Sequence, residues 1–257
     1  MADLYWYQYA LIGMIFIWSG FVRSGLGFGG AVLALPFLLL IVDDALVFLP
    51  LIAVHLLVFS SWIAWCSYRE HRFAGHREEN NIDWTYIGHA MKFIIVPKLI
   101  GVLGLLTLPP RVMSTMIFLI VIAYAIGYVL NRPFRSRSRA VDVILLMLGG
   151  YISGTSLIGA PLLVAVFAAH VAQHQLRDTL FALWFILVTI KMASFIVAGV
   201  DLQLIHHLWL LPCAWVGHVI GQRFHARIVR VETGQFFRVI GIALILVSVV
   251  GILSPPA

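Results

Sequence analysis

The sequence predicts an all-α integral membrane protein of about eight transmembrane segments, arranged as two inverted repeats that each begin with a glycine-broken hairpin helix. Composition, the lengths of the apolar runs and a motif that recurs half a chain apart predict it. Of 257 residues, 62% are hydrophobic and 11% charged, with a mean hydropathy of +1.01; a soluble domain carries about 25% charged residues. Too few polar residues exist to cover a water-facing exterior, so the bilayer must be the main solvent. The runs are long and helix-like, unlike the alternating strands of an outer-membrane barrel, which excludes a closed barrel.

The net charge of +6 and pI of about 9.6 raise nucleic acid as a partner. The arginines, however, sit in short loops between apolar runs, the distribution that sets membrane orientation. No nucleic-acid partner is expected. Cys66 and Cys213 both lie inside apolar segments, which supports neither a disulfide framework nor a four-thiolate metal site. A removable leader needs a basic stretch ahead of its apolar core. The first residues offer only Asp3 as a charge, so the first helix is expected to be retained.

The apolar runs cover 5–42, 45–68, 84–108, 112–130, 140–171, 176–200, 202–221 and 234–253. Six have ordinary spanning length. The runs 5–42 and 140–171 are too long for one upright helix at 1.5 Å per residue, and each is interrupted by glycines, so both read as hairpins or broken helices. Charge placement supports this. If each turns back to the side it entered from, the loops 69–83, 131–139, 172–177 and 222–233 share one face. That face carries Arg69, Arg72, Arg77, Arg132, Arg135, Arg137, Arg139, Arg177, Arg223, Arg227 and Arg230, and the other keeps Arg111 with Asp43, Asp44 and Asp201. A single crossing at 140–171 would move Arg177, Arg223, Arg227 and Arg230 to the outer face, against the positive-inside bias. Two hairpins with both termini outside follow. Trp84, Tyr86, Trp209 and the aromatic residues at 5–9 are expected at the lipid–water interface.

The motif Ser-Gly-x-x-x-x-Gly-Ala occurs at 24–31 and again at 153–160, an offset of 129 residues from Ser24 to Ser153. Each copy sits in an over-long run followed by three ordinary ones. Three crossings invert the second copy relative to the first, as in transporters that build two access states around one site. The repeats are assigned to 1–130 and 140–257, joined by a basic cytoplasmic linker, 131–139, that holds Pro133.

Unwound backbone at membrane depth is tolerated only against protein or a wet cavity, so the breaks point inward. The chain resumes after each as a half helix, near Ala31 and Ala160, whose first amides carry partial positive charge. Two such ends meeting from opposite faces suit an anion. Ser24, Ser153, Thr155 and Ser156 would add hydroxyl donors, Gly27, Gly29 and Gly30 would permit close backbone approach, and Gly25, Gly154 and Gly159 belong to the same candidate binding breaks. The competing reading is that glycine and serine here serve helix packing; the second copy at fixed offset favours a binding site.

Charges inside membrane helices usually face the bundle interior. Lys98, beside Pro97, and Lys191 are candidates to supply positive charge to an anion, with snorkelling to the headgroups as the alternative. Lys92 reads as interfacial, and Arg23 as either an anion contact or an anchor. His55 and His218 are placed for proton coupling or an anion contact, or for packing. His170 and His174, at i and i+4 on one helical face, raise a haem or metal reading, but no Glu, Asp or Cys is placed to complete a site. No metal and no cofactor is expected. Nucleotide-binding loops and Ser-His-Asp order are absent, so the chain is not read as an enzyme.

The glycine-rich first break with Leu-Pro-Phe-Leu-Leu-Leu at 35–40, and its counterpart Gly-Tyr-Ile-Ser-Gly-Thr-Ser-Leu-Ile-Gly-Ala-Pro-Leu-Leu-Val at 150–164, resemble the duplicated signature of the sulfite exporter TauE/SafE family. Ile82-Asp83-Trp84 after an arginine-containing loop, Gly217-x-x-x-Gly221 and the overall length fit as well. The resemblance covers nearly the whole chain. It implies a multi-pass carrier of the bacterial cytoplasmic membrane that exports sulfite, an organosulfonate such as sulfoacetate, or a related sulfur-containing anion, and with the charge placement above both termini are expected to be periplasmic. The bilayer and that small anion are then the partners, with a second copy of the chain, as a homodimer, a further candidate. One departure stands out: Thr155, Ser156, Leu157 and Ile158 occupy positions where family members often keep more glycine. An anion channel on the same broken helices, or a membrane-embedded haem or metal protein, are the alternative functions.

Overall fold

The computed structural model describes residues 4–26, 30–73, 82–131, 136, 138–228 and 233–254. Among them all regular structure is helical: α1 (Trp6–Leu26), α2 (Gly30–Ile41), α3 (Ala45–Phe73), α4 (Trp84–Thr107), α5 (Pro110–Val129), α6 (Arg139–Ser156), α7 (Ala160–His170), α8 (Gln173–Val197), α9 (Leu204–Ile228) and α10 (Thr233–Leu253). Five stretches are long and apolar enough to cross a bilayer: Ala45–Trp62, Trp84–Thr107, Pro110–Val129, Gln173–Val197 and Leu204–Arg223. Gly30–Ile41, Ala160–His170 and Arg238–Leu253 are shorter apolar helices. The chain is a multi-pass membrane protein. On α4, Val96, Ile100 and Leu103 are exposed while Ile94, Lys98 and Val102 are buried, the outward apolar face that lipid would cover.

Local chemistry sets several helix ends. Pro109 and Pro110 open α5 where a missing N–H is harmless. The Ser138 hydroxyl accepts from the Val141 N–H at 3.4 Å to cap α6. Leu157 then adopts a left-handed φ of 60°, its N–H bonding Ser153 O at 3.3 Å, and the helix stops. Helix α7 starts after Gly159, with Pro161 in its first turn. Asp83 Oδ1 accepts from the Tyr86 N–H at 2.8 Å at the head of α4.

The chain divides into two compact units, each drawing helices from both halves of the sequence. The first comprises Met1–Leu51, Gly104–Pro133 and Asp201–Ala257. In it α1 lies along α9, α5 along α10, and α2 touches α1, α5 and α10. The α1–α9 contact is backbone against backbone. A methyl on Gly217 would come 1.9 Å from the Ile17 carbonyl oxygen, and one on Gly20 would come 2.1 Å from that of Ala214. Arg111, which sequence reading places alone on the outer face, caps α10. Its guanidinium donates to Gly251 O at 3.0 Å and to Ile252 O and Ser254 O at 2.7 Å each, and pairs with Asp43 at 3.2 Å.

The second unit comprises Ile52–Leu103 and Phe134–Val200. Here α7 lies back along α6, with a methyl on Gly149 reaching 2.7 Å from Leu163 Cδ2. Helix α4 presses onto α6 at three glycines. Methyls on Gly101, Gly150 and Gly154 would meet the carbonyl oxygens of Tyr151, Ile94 and Lys98 at 2.3, 2.6 and 2.2 Å. Packing units therefore cut across the order of the chain: α4, from its first half, packs on α6, and α9, from its second half, packs on α1.

One sequence expectation is corrected. His170 and His174 do not share a helical face, because α7 ends at His170 and α8 begins at Gln173, with Val171 extended between them at φ −99° and ψ 139°. Among the described residues no cluster of three metal-ligating side chains occurs.

Candidate functional site

Lys98 and Lys191 converge on one point of the second unit. Lys98 projects from α4 and its Nζ donates to Ser153 Oγ at 3.1 Å; Lys191 projects from α8 and its Nζ donates to Gly154 O at 2.8 Å. Both side chains are fully buried. Burial removes the snorkelling alternative for either, since neither ammonium reaches the protein surface. Among the described residues neither pairs with a carboxylate. Asp83 is engaged by the Tyr86 N–H, and Asp142 by Ser136 and His170. The Phe195 ring, 5.6 Å from Lys191 Nζ, gives a weak cation–π contact.

The positions of the lysines follow from the glycines. Because the Lys98 carbonyl rests against Gly154, α4 and α6 approach closely enough for Lys98 to reach Ser153 one residue earlier. Ser153, Gly154, Thr155 and Ser156 form the last turn of α6, all buried, and Gly159 and Ala160 open α7. The Thr155 and Ser156 hydroxyls both donate back to Ile152 O, at 3.1 and 3.0 Å, so they serve their own helix rather than projecting donors. In the first turn of α7 the Ala160 and Leu162 amides lack intrahelical acceptors, while Pro161 has no N–H to offer.

The first unit carries a parallel arrangement. Ser24, the sequence counterpart of Ser153, hydrogen-bonds His218 Nδ1 from α9, the counterpart of α4, and also donates to Gly20 O at 2.9 Å. Each serine of the duplicated motif thus meets a basic side chain from the penultimate helix of the other half, an ammonium in one unit and an imidazole in the other. Gly25 lies in the last turn of α1, and buried Gly30 and Ala31 open α2. Gly27 and Gly29 lie outside the described residues. Arg23, also in the last turn of α1, is buried. His55 is fully buried in the second unit, stacked on Phe59 with ring centroids 6.5 Å apart.

Two contacts escape sequence reading. The buried Ser19 hydroxyl donates to Gly30 O at 3.2 Å, tying α1 to α2; a lone serine eleven residues ahead of a glycine gives no local signal. His170 Nε2 bonds Asp142 Oδ2 at 2.8 Å, joining the head of α6 to the tail of α7, while Tyr86 stacks on the His170 ring at 5.4 Å. The signal for that pair is an acid in the first turn of one apolar helix and a histidine in the last turn of the next.

The helices, apolar and long enough to cross a bilayer, define the class as polytopic membrane proteins, here with Lys98 and Lys191 buried at a helix end and without an acidic partner among the described residues. The family follows directly. The model of the sulfite exporter TauE/SafE family matches residues 11–251, and the chain belongs to that family. Membership makes it a transmembrane transporter of the sulfite or sulfonate exporter type. No curated protein and no solved structure matched the chain significantly.

Proposed function

We propose that this protein is a secondary transporter that exports sulfite or an organosulfonate, sulfoacetate among them, across the bacterial cytoplasmic membrane by alternating access. The anion is held in the second unit between Lys98, Lys191 and Ser153, with the first amides of α7 completing its shell. Gly154 contributes by letting α4 approach rather than by touching the anion, and Ser24, Gly30, Ala31 and His218 form the related, less cationic arrangement of the first unit. The two sequence halves act as inverted repeats, each opening with a glycine-broken hairpin, and both termini are periplasmic. The observation that carries this reading is the meeting of two fully buried ammonium groups at Ser153–Gly154. Buried charges are retained where they are paired or functional, and an oxyanion is the missing partner.

Liposomes loaded with radiolabelled sulfite or sulfoacetate and containing the purified protein should release it in a saturable, protein-dependent way. Unitary electrical currents in place of saturable turnover would make the protein a channel. Absence of flux for sulfite and for every organosulfonate tried would overturn the exporter reading.

A further inference from the structure

We propose that the Lys98–Lys191 site selects oxyanions that carry two negative charges over anions of the same shape that carry one. The inference rests on the exporter reading and narrows its substrate class. Each ammonium has three N–H donors. The protein acceptors recorded for the two are the Ser153 hydroxyl and the Gly154 carbonyl, both neutral, so several donors are left for a ligand. Asp83 and Asp142, acids of the same unit, are engaged elsewhere, with the Tyr86 N–H and with Ser136 and His170.

Helix ends do not change the balance. The C-terminus of α6 contributes about half a negative charge and the N-terminus of α7 about half a positive one, and only residues 157–159 separate the two, so they offset. An oxyanion seated between the two buried lysines favours the ammonium form of both, so a bound ligand meets two positive charges in a region closed to solvent. A monoanion leaves one of them uncompensated, whereas a dianion neutralises both, and the low effective dielectric enlarges the difference. Fully deprotonated sulfite meets this requirement with one sulfur centre. Sulfoacetate meets it with a sulfonate at one end and a carboxylate at the other. Isethionate has nearly the same shape but a hydroxyl in place of the carboxylate, and taurine places a cation there.

The test is isothermal titration of the full-length protein in detergent with sulfoacetate and with isethionate at one ionic strength. Sulfoacetate is expected to bind at least about tenfold more tightly. In Lys191→Gln the preference should fall to within about threefold while isethionate still binds; Lys98→Gln provides the same readout if the first variant is not monodisperse. Equal affinities in the parent protein would overturn the proposal and leave the exporter reading standing. So would a dianion preference that survives both substitutions. Failure of sulfite, sulfoacetate and isethionate all to bind would remove the anion site itself, and this inference with it.

Discussion

Replacing Lys98 or Lys191 by methionine should cut sulfite efflux from proteoliposomes by about 10- to 100-fold while leaving the protein as stable as its parent, or more so. The first half follows from losing one charge-assisted hydrogen bond to the anion. Such a bond contributes about 1.5–3 kcal/mol, and each 1.4 kcal/mol is about a factor of ten. The second half follows from the burial of both ammonium groups away from any carboxylate among the described residues. A buried charge without a counter-charge carries an uncompensated desolvation cost, which an apolar side chain of similar length removes. Initial efflux rates and thermal melts in detergent measure the two halves. A purely structural lysine, capping the carbonyl end of α6, predicts instead that efflux and melting temperature fall together. Undiminished efflux in both variants would remove the lysines from the transport path.

The second large effect concerns the α1–α9 crossing. Gly217→Val should prevent recovery of a monodisperse protein or lower its stability by about 3 kcal/mol or more. The added carbon would lie 1.9 Å from the Ile17 carbonyl oxygen, and backbone cannot swing aside as a side chain can. The helices would have to separate along their whole contact. Gly20→Val, facing the Ala214 carbonyl at 2.1 Å from the other side, should behave alike. Gly88→Ala is the control: apart from its chain neighbours and its own helix backbone, nothing stands within 4 Å of the new methyl, and alanine favours a helix over glycine by about 1 kcal/mol. Size-exclusion profiles and melting temperatures report all three. A Gly217→Val protein that elutes and melts like the parent would show that the crossing tolerates separation.

Much of this was readable from residue type alone. A lysine in the middle of an apolar run has few places to go, so Lys98 and Lys191 stood out before any coordinates. Their meeting at Ser153–Gly154 did not, because it depends on α4 and α8 arriving from distant parts of the chain. The end of α6 and start of α7 were legible in Gly154, Gly159 and Pro161. The exchange of α4 and α9 between halves was not, since Gly101 and Gly217 reveal close packing without revealing the partner. His170 shows how a spacing rule fails: i, i+4 places two side chains together only on a continuous helix, and the chain leaves the helix at Val171. Thr155 and Ser156 were expected to point donors at a ligand, but carbonyls in the last turn of α6 compete for the same hydroxyls, and Ile152 O takes both. Arg111 was legible as an arginine apart from the basic loops, but its role was not. Its partners, the terminal carbonyls of α10, lie more than a hundred residues away.

The most direct measurement is a structure of the protein with selenite, a heavier pyramidal oxyanion that stands in for sulfite and is located by its selenium anomalous signal. The expected result is one strong peak whose oxygens lie about 3 Å from both Lys98 Nζ and Lys191 Nζ, beside Ser153. A selenium peak elsewhere in the bundle, with Lys98 still bonded to Ser153 and Lys191 to Gly154, would contradict the lysine pair as the anion site.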